Sequence, residues 1–172
     1  LDLINGNLIW QTPTQNSAVM EDSFSIKYSK IVLENKRVYF SNDKNQFFNI
    51  NSENGNLNWV KNINSLLTPI SLDKLIFTIS YDGYLIILDS LTGDIIRSTK
   101  LTDDVNIKKK LFFKGFFVGK NKIYTSLSDG KILVVDILNG KKILTKKIKR
   151  SNISKPFILN KNMFILSNNF IT

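Results

Sequence analysis

Four glycines stand in one recurring frame: Gly6, Gly55, Gly93 and Gly140. Each has an Asp or Asn four residues before it, at Asp2, Asn51, Asp89 and Asp136. Four residues after each come Trp10, Trp59, Arg97 and Leu144. The glycines lie 49, 38 and 47 positions apart, which suits a repeated unit of about 40–50 residues such as a four-stranded blade. A second frame runs in phase with the first. Asn45, Gly83 and Gly130 each precede one of the last three glycines by ten residues. Two turns recurring together leave little room for coincidence.

The segments between the turns read as strands. Gln46–Ile50, Tyr84–Leu88 and Lys131–Val135 join the two frames, and an apolar hairpin lies upstream of each. Those hairpins are Ile31–Leu33 with Val38–Phe40, Pro69–Leu72 with Leu75–Ile79, and Leu111–Val118 with Lys122–Ser126. A fourth copy starts at Pro156–Leu159 with Met163–Leu166. The pairs Asp82-Gly83 and Asp129-Gly130 predict tight hairpins with positive φ at both positions. No stretch keeps apolar residues at helical spacing for three turns. Leu85–Leu88 and Ile132–Val135 are apolar without alternation, as in strands covered on both faces. A β-propeller covers its inner strands this way, whereas a flat solenoid uses shorter repeats.

The expected fold is therefore all-β, a propeller of four-stranded antiparallel blades, with about four blades' worth of chain. The outer strand of one blade falls at residues 1–11. Complete blades follow at about 28–63, 66–101 and 108–149, and a partial blade at 155–172. Leu1 begins inside a motif, which predicts a segment of a seven- or eight-bladed propeller.

The repeated positions read as structural. The glycines suit left-handed turn geometry and the Asx side chains accept backbone N–H groups across it. Trp10 and Trp59 are expected on the outermost strands, wedged between blades, each burying on the order of 200 Å². The acidic series recurs once per blade, so it cannot converge on a metal. Phe112-Phe113-Lys-Gly-Phe116-Phe117 is read as blade core rather than a sticky patch. Asp103-Asp104 lacks a third calcium ligand at suitable spacing. Thr12–Lys27, without a repeat signature, is the place where a functional loop would fall.

Composition narrows the chemistry. The chain has no Cys and no His, which excludes Cys/His zinc sites, thiol nucleophiles, disulfides and histidine acid–base catalysis. Net charge is +10, but Arg occurs only at Arg37, Arg97 and Arg150. Nucleic-acid sites lean on arginine for bidentate contacts, so the scattered lysines are read as solvated surface with no nucleic-acid partner. No apolar run reaches the roughly 18 residues that span a membrane.

The string Asp-x-x-x-Gly-x-x-x-Trp is whole at Asp2–Trp10, has Asn for Asp at Asn51–Trp59, and ends in Arg97 and Leu144 in the last two copies. It resembles the tryptophan-docking motif of pyrroloquinoline-quinone-type propeller repeats. Two families share that repeat: the quinoprotein dehydrogenases, which bind quinone and calcium, and the outer-membrane-protein assembly lipoprotein BamB, a scaffold without cofactor. Leu67–Gly83 with Tyr84–Asp89 is similar to a BamB blade in phrasing and length. The adjacent Cys pair typical of the dehydrogenases is missing. The resemblance implies a non-catalytic scaffold with no cofactor or metal, at the periplasmic face of the outer membrane. It implies a protein partner in the barrel assembly machinery. Self-association through open blade faces is a further expectation, and a dehydrogenase fragment or an unrelated binding propeller are the alternatives.

Overall fold

The computed structural model describes residues 1–14, 26–101, 111–148, 153–167 and 170–171. Asp103-Asp104 and most of the Thr12–Lys27 stretch lie outside them. Among the described residues there is no helix. The first sheet runs β1 (Val32–Glu34), β2 (Arg37–Ser41), β3 (Phe47–Asn51) and β4 (Leu57–Lys61), in that order. The second runs β5 (Ile70–Leu72), β6 (Leu75–Ile79), β7 (Tyr84–Asp89) and β8 (Ile95–Lys100). The third contains β9 (Phe113–Gly119), β10 (Lys122–Leu127), β11 (Lys131–Asp136) and β12 (Lys142–Lys147). The first and third sheets are antiparallel throughout. Two hairpins follow, β13 (Phe157–Leu159) with β14 (Asn162–Phe164) and β15 (Leu166–Ser167) with β16 (Phe170–Ile171). These are the four-stranded meanders of propeller blades.

The chain divides into two compact units. One comprises Leu1–Thr78 and Ile87–Ile96, the other Ile79–Ile86 and Arg97–Thr172. In the first, Phe40, Phe48 and Ile50 form a buried cluster against which Trp10 and Val38 pack. Phe40 and Phe48 stack with centroids 4.9 Å apart. In the second, Ile132, Val134, Ile153 and Ile165 form the corresponding cluster. Each third strand carries a run of four consecutive buried residues, in β3, β7 and β11, and β6 has one as well. Polar alternation is absent there because neither face meets water.

Turn chemistry differs from the sequence expectation in one respect. The Asp-Gly pairs do not form two-residue loops with both residues left-handed. Only the glycines, Gly83 and Gly130, have positive φ, at 84° in each. Gly83 N–H donates to the Ser80 carbonyl and Gly130 N–H to that of Leu127, so each loop is a four-residue turn closed by one left-handed residue. Asn45, at φ 62°, does the same work in the first sheet without glycine. The left-handed pairs lie instead at Asn35-Lys36, Lys120-Asn121 and Asn160-Lys161, joining the first two strands of their sheets. Asparagine tolerates this region and lysine does so at a cost.

The phenylalanine cluster is mostly core, with one exception. Phe113 and Phe116 are buried and Phe117 is half-buried. Phe112 precedes β9 and lies exposed, with the Lys114 ammonium 4.6 Å from its ring centroid.

The strained lysine turns yield a prediction. Lys36→Gly converts Asn35-Lys36 into the Asn-Gly pair that such loops favour, relieving about 1 kcal/mol of left-handed strain. It also removes the exposed ion pair with Glu53, which water screens. Urea denaturation is expected to show a net gain of about 0.5 kcal/mol, and a loss would show the strain argument to be wrong.

Candidate functional site

The recurring Asx-to-Gly segment folds into the same closed turn four times. In each, the glycine N–H donates to the Asx carbonyl at 2.9 Å. The Asx side chain then accepts two further N–H groups. Asp2 Oδ1 takes those of Ile4 and Asn5, and Asn51 Oδ1 those of Glu53 and Asn54. Asp89 Oδ1 takes Leu91 and Thr92, and Asp136 Oδ1 takes Leu138 and Asn139. An amide serves as well as a carboxylate because only acceptor oxygens are needed. The glycine N–H and those two and three residues beyond the Asx are thus satisfied within the turn, the N–H groups of Ser52, Ser90 and Ile137 donate to the carbonyls of Lys36, Lys74 and Asn121, and the carbonyl that follows the Asx residue is left to face a neighbour.

That neighbour is the segment that follows the glycine of the preceding repeat, a strand in β4 and β8. Trp10 Nε1 donates to the Ser52 carbonyl at 2.8 Å, and Trp59 Nε1 to that of Ser90 at 3.3 Å. The indoles lie flat on the glycines. A Cβ added to Gly55 would stand 2.6 Å from Trp10 Cε3, and one on Gly93 2.6 Å from Trp59 Cδ2. These two positions therefore exclude any side chain twice over, by contact and by a φ near +70°. Two residues beyond each tryptophan, Thr12 bonds the Gly55 carbonyl and Lys61 lies 3.4 Å from Asp94. Trp59 is buried against Phe47, stacked at 5.9 Å, and Tyr39; Trp10 is only half-buried and lies outside any strand.

The third seam lacks tryptophan but keeps its bond. Arg97 occupies the tryptophan position, and its Nη1 donates to the Ile137 carbonyl at 3.2 Å and to that of Leu138. Ile137 follows Asp136 as Ser52 follows Asn51 and Ser90 follows Asp89, so the same carbonyl is used. Thr99, two residues on, takes the place of Thr12 and lies 2.7 Å from a Cβ built on Gly140. Sequence inspection shows Arg97 as a lapse of the motif. Its role as a donor becomes visible only with the Ile137 carbonyl beside it.

A bulge aims the docking residue. In β3–β4, Asn49 faces Trp59 and Ile50 faces Leu57, so Asn58 is the extra residue. Asn58 Nδ2 donates to Asn49 Oδ1, and the fully buried Asn49 passes its own Nδ2 to the Ser90 carbonyl at 3.0 Å. Two donors thus meet at one acceptor. Extra residues of this kind re-aim side chains. No group of three or more His, Cys, Asp or Glu that could hold a metal ion occurs among the described residues, and no helix there is long and apolar enough to cross a membrane.

Asp89 has its carboxyl held below the usual aspartate value of 3.8, chiefly by the Thr92 N–H and then by that of Leu91. Its charged form is thereby favoured in the folded state. The contribution is complete above the ordinary value and is lost as pH falls through the depressed one.

Known proteins are similar to this chain in sequence and in fold. The sequence model of the family described as outer membrane protein assembly factor BamB matches residues 1–99. A curated relative, outer membrane protein assembly factor BamB of Legionella pneumophila (strain Paris), is 24% identical over 124 residues. That match covers 70% of this chain but 29% of the relative, so the chain spans under a third of its length. Among solved structures, BamB from Moraxella catarrhalis superposes with a TM-score of 0.61 at 11% identity, covering 79% of this chain and 56% of that one. The computationally designed Ika4 protein superposes with a TM-score of 0.72 at 13% identity, over 97% of this chain and 96% of that one.

Two measurements check the seams. Trp59→Ala is expected to cost about 3–5 kcal/mol as a large core truncation, and Arg97→Ala about 1–3 kcal/mol, with Arg97→Trp retaining most of the stability. If Arg97→Ala proves neutral in chemical denaturation, the arginine carries no docking energy. For Asp89→Asn, the stability difference between wild type and variant is expected to shift against wild type as pH falls below 3.8. A pH-independent difference would remove Asp89 from that account.

Proposed function

The chain belongs to the family of the outer membrane protein assembly factor BamB, and from that membership we propose that it is a non-catalytic propeller scaffold for protein–protein interaction. Its task is the assembly of outer-membrane β-barrel proteins, and its place is the periplasmic face of the outer membrane. The observation that carries this reading is the family match over residues 1–99, joined by the curated BamB relative. The repeat motif supports it from another side. Asp2, Gly6, Trp10, Asn51, Gly55, Trp59, Asp89, Gly93, Asp136 and Gly140 all belong to turns or to the side chains docked on them. Such residues serve the stacking of blades, which leaves loops and strand edges for partners. With neither Cys nor His in the sequence, the usual nucleophile and proton carrier are absent from this chain. Blades fall at residues 28–63, 66–101 and 108–149 in this proposal, flanked by an outer strand at 1–11 and a partial blade at 155–172.

The test has two arms. Exported to the periplasm behind a cleavable leader and crosslinked, the chain is expected to co-purify with the outer-membrane barrel assembly machinery; failure to be retained there counts against the proposal. Pyrroloquinoline quinone with calcium is expected to leave the thermal melt unchanged. A saturable rise in melting temperature, with a change in quinone absorbance, would assign the chain to the quinone-binding propellers instead.

A further inference from the structure

Three of the four Asx–Gly turns place an asparagine immediately before the glycine: Asn5-Gly6, Asn54-Gly55 and Asn139-Gly140. In an open chain that pair is chemically labile. The glycine nitrogen, unhindered by a side chain, loses its proton to base and attacks the asparagine Cγ. The new C–N bond closes a succinimide ring, the Cγ–Nδ2 bond breaks, and ammonia leaves. Water then opens the ring. Cleavage of the bond from nitrogen to Cγ gives aspartate. Cleavage of the bond to the main-chain carbonyl carbon gives isoaspartate, whose backbone runs through Cγ and is a carbon longer.

In the folded turns each reacting atom is already committed. The glycine N–H donates to the Asx carbonyl at 2.9 Å, so the nitrogen must give up that bond before it can lose its proton. The asparagine Oδ1 accepts the N–H two residues on, 3.0 Å from Asn56 and 2.7 Å from Lys141, which fixes the amide carbon. Trp10 lies on Gly55 and Thr99 on Gly140, so opening either turn moves the glycine against the side chain above it. The side chains of Asn54 and Asn139 are themselves exposed, and water and base reach them. What the fold withholds is the nucleophile. Thr92-Gly93 repeats the design without the amide, for Thr92 Oγ1 accepts the Asp94 N–H at 3.2 Å. The turn needs an acceptor there, and an amide is not required.

We propose that Asn54 and Asn139 are deamidation sites gated by their own turns, silent while the turn is closed and reactive each time it opens. The rate then follows the open population, as it does for proteolysis of transiently opened states. The gate is also one-way. An aspartate product keeps an acceptor oxygen where Asn54 Oδ1 had one. Isoaspartate lengthens the chain between the Asx residue and the glycine, so the 2.9 Å bond that closes the turn and the floor beneath the docked side chain are both lost. Each of these two seams thereby keeps a covalent record of its own openings.

Peptide mapping of protein aged at mildly alkaline pH reads the reaction directly, because an amide becomes an acid and isoaspartyl peptides separate from aspartyl ones. Deamidation at Asn54 and Asn139 is expected to be slower by about tenfold or more in the folded chain than in guanidinium chloride. Equal rates in the two states would overturn the proposal without recourse to any variant. Trp10→Ala uncovers Gly55 and is expected to speed the reaction at Asn54 while leaving Asn139 at its wild-type rate. A Trp10→Ala chain with intact β-sheet circular dichroism and no faster reaction at Asn54 would also overturn it. The one-way step is read by holding the protein near its melting temperature and melting it again. Wild type is expected to lose part of its transition, whereas a chain carrying Asn54→Thr and Asn139→Thr, built on the Thr92 pattern, is expected to keep more of it. Equal loss in both chains would remove isoaspartate as the cause and overturn the one-way gate. None of these readouts involves a partner protein, so the gated sites and the scaffold role stand or fall separately.

Discussion

The structure depends on a turn that satisfies most of its own N–H groups and leaves one carbonyl facing outward. Each Asx side chain accepts the N–H groups two and three residues on, while the glycine returns a bond to the Asx carbonyl. A buried N–H without a partner would cost about 1–3 kcal/mol, so this self-sufficiency is what lets the turn serve as a flat floor. The glycine contributes by having nothing above its Cα. An indole then lies on that floor with its single N–H aimed at the free carbonyl. Apolar contact and one directed bond together set how one strand meets the next turn.

What the seam requires is narrower than tryptophan. It needs a donor at the end of a side chain and bulk to lie over glycine. Trp10 and Trp59 combine both in one ring. Arg97 supplies the donor, and Thr99 fills the space over Gly140. Arginine always carries donors in a fixed plane, so the exchange preserves geometry while giving up aromatic area. The seams thus differ in character along the chain, from stacked aromatic rings around Trp59 to a half-buried guanidinium at Arg97.

Much of this was legible before any coordinates. The glycine frame with its Asx partner states the repeat, and the unbroken apolar runs of β7 and β11 state which strands are covered on both sides. The family follows from the same string. Three features were not legible, each for a physical reason. The left-handed pairs at Asn35-Lys36, Lys120-Asn121 and Asn160-Lys161 contain no glycine, so nothing in their composition announces positive φ. The Asp-Gly pairs look like the favoured two-residue loop, but an added residue on the strand side makes them longer turns with one left-handed position. Docking partners lie 34 to 45 residues apart, as with Trp59 and Gly93 or Trp10 and Gly55, and a motif read in one place does not say which copy it touches.

Strand β12 also bears on how such a protein stays in solution. It lies at the end of its sheet order, with β11 on one side only, and Ile143 and Leu144 form an exposed β-prone pair within it. An apolar strand at a sheet edge is a template for runaway pairing. Here Lys142 precedes the pair, Lys146 and Lys147 follow it, and Lys141 extends the charge. Two such strands brought edge to edge would place like charges opposite one another, which penalises that pairing. The lysines on and beside β12 therefore act as gatekeepers against aggregation.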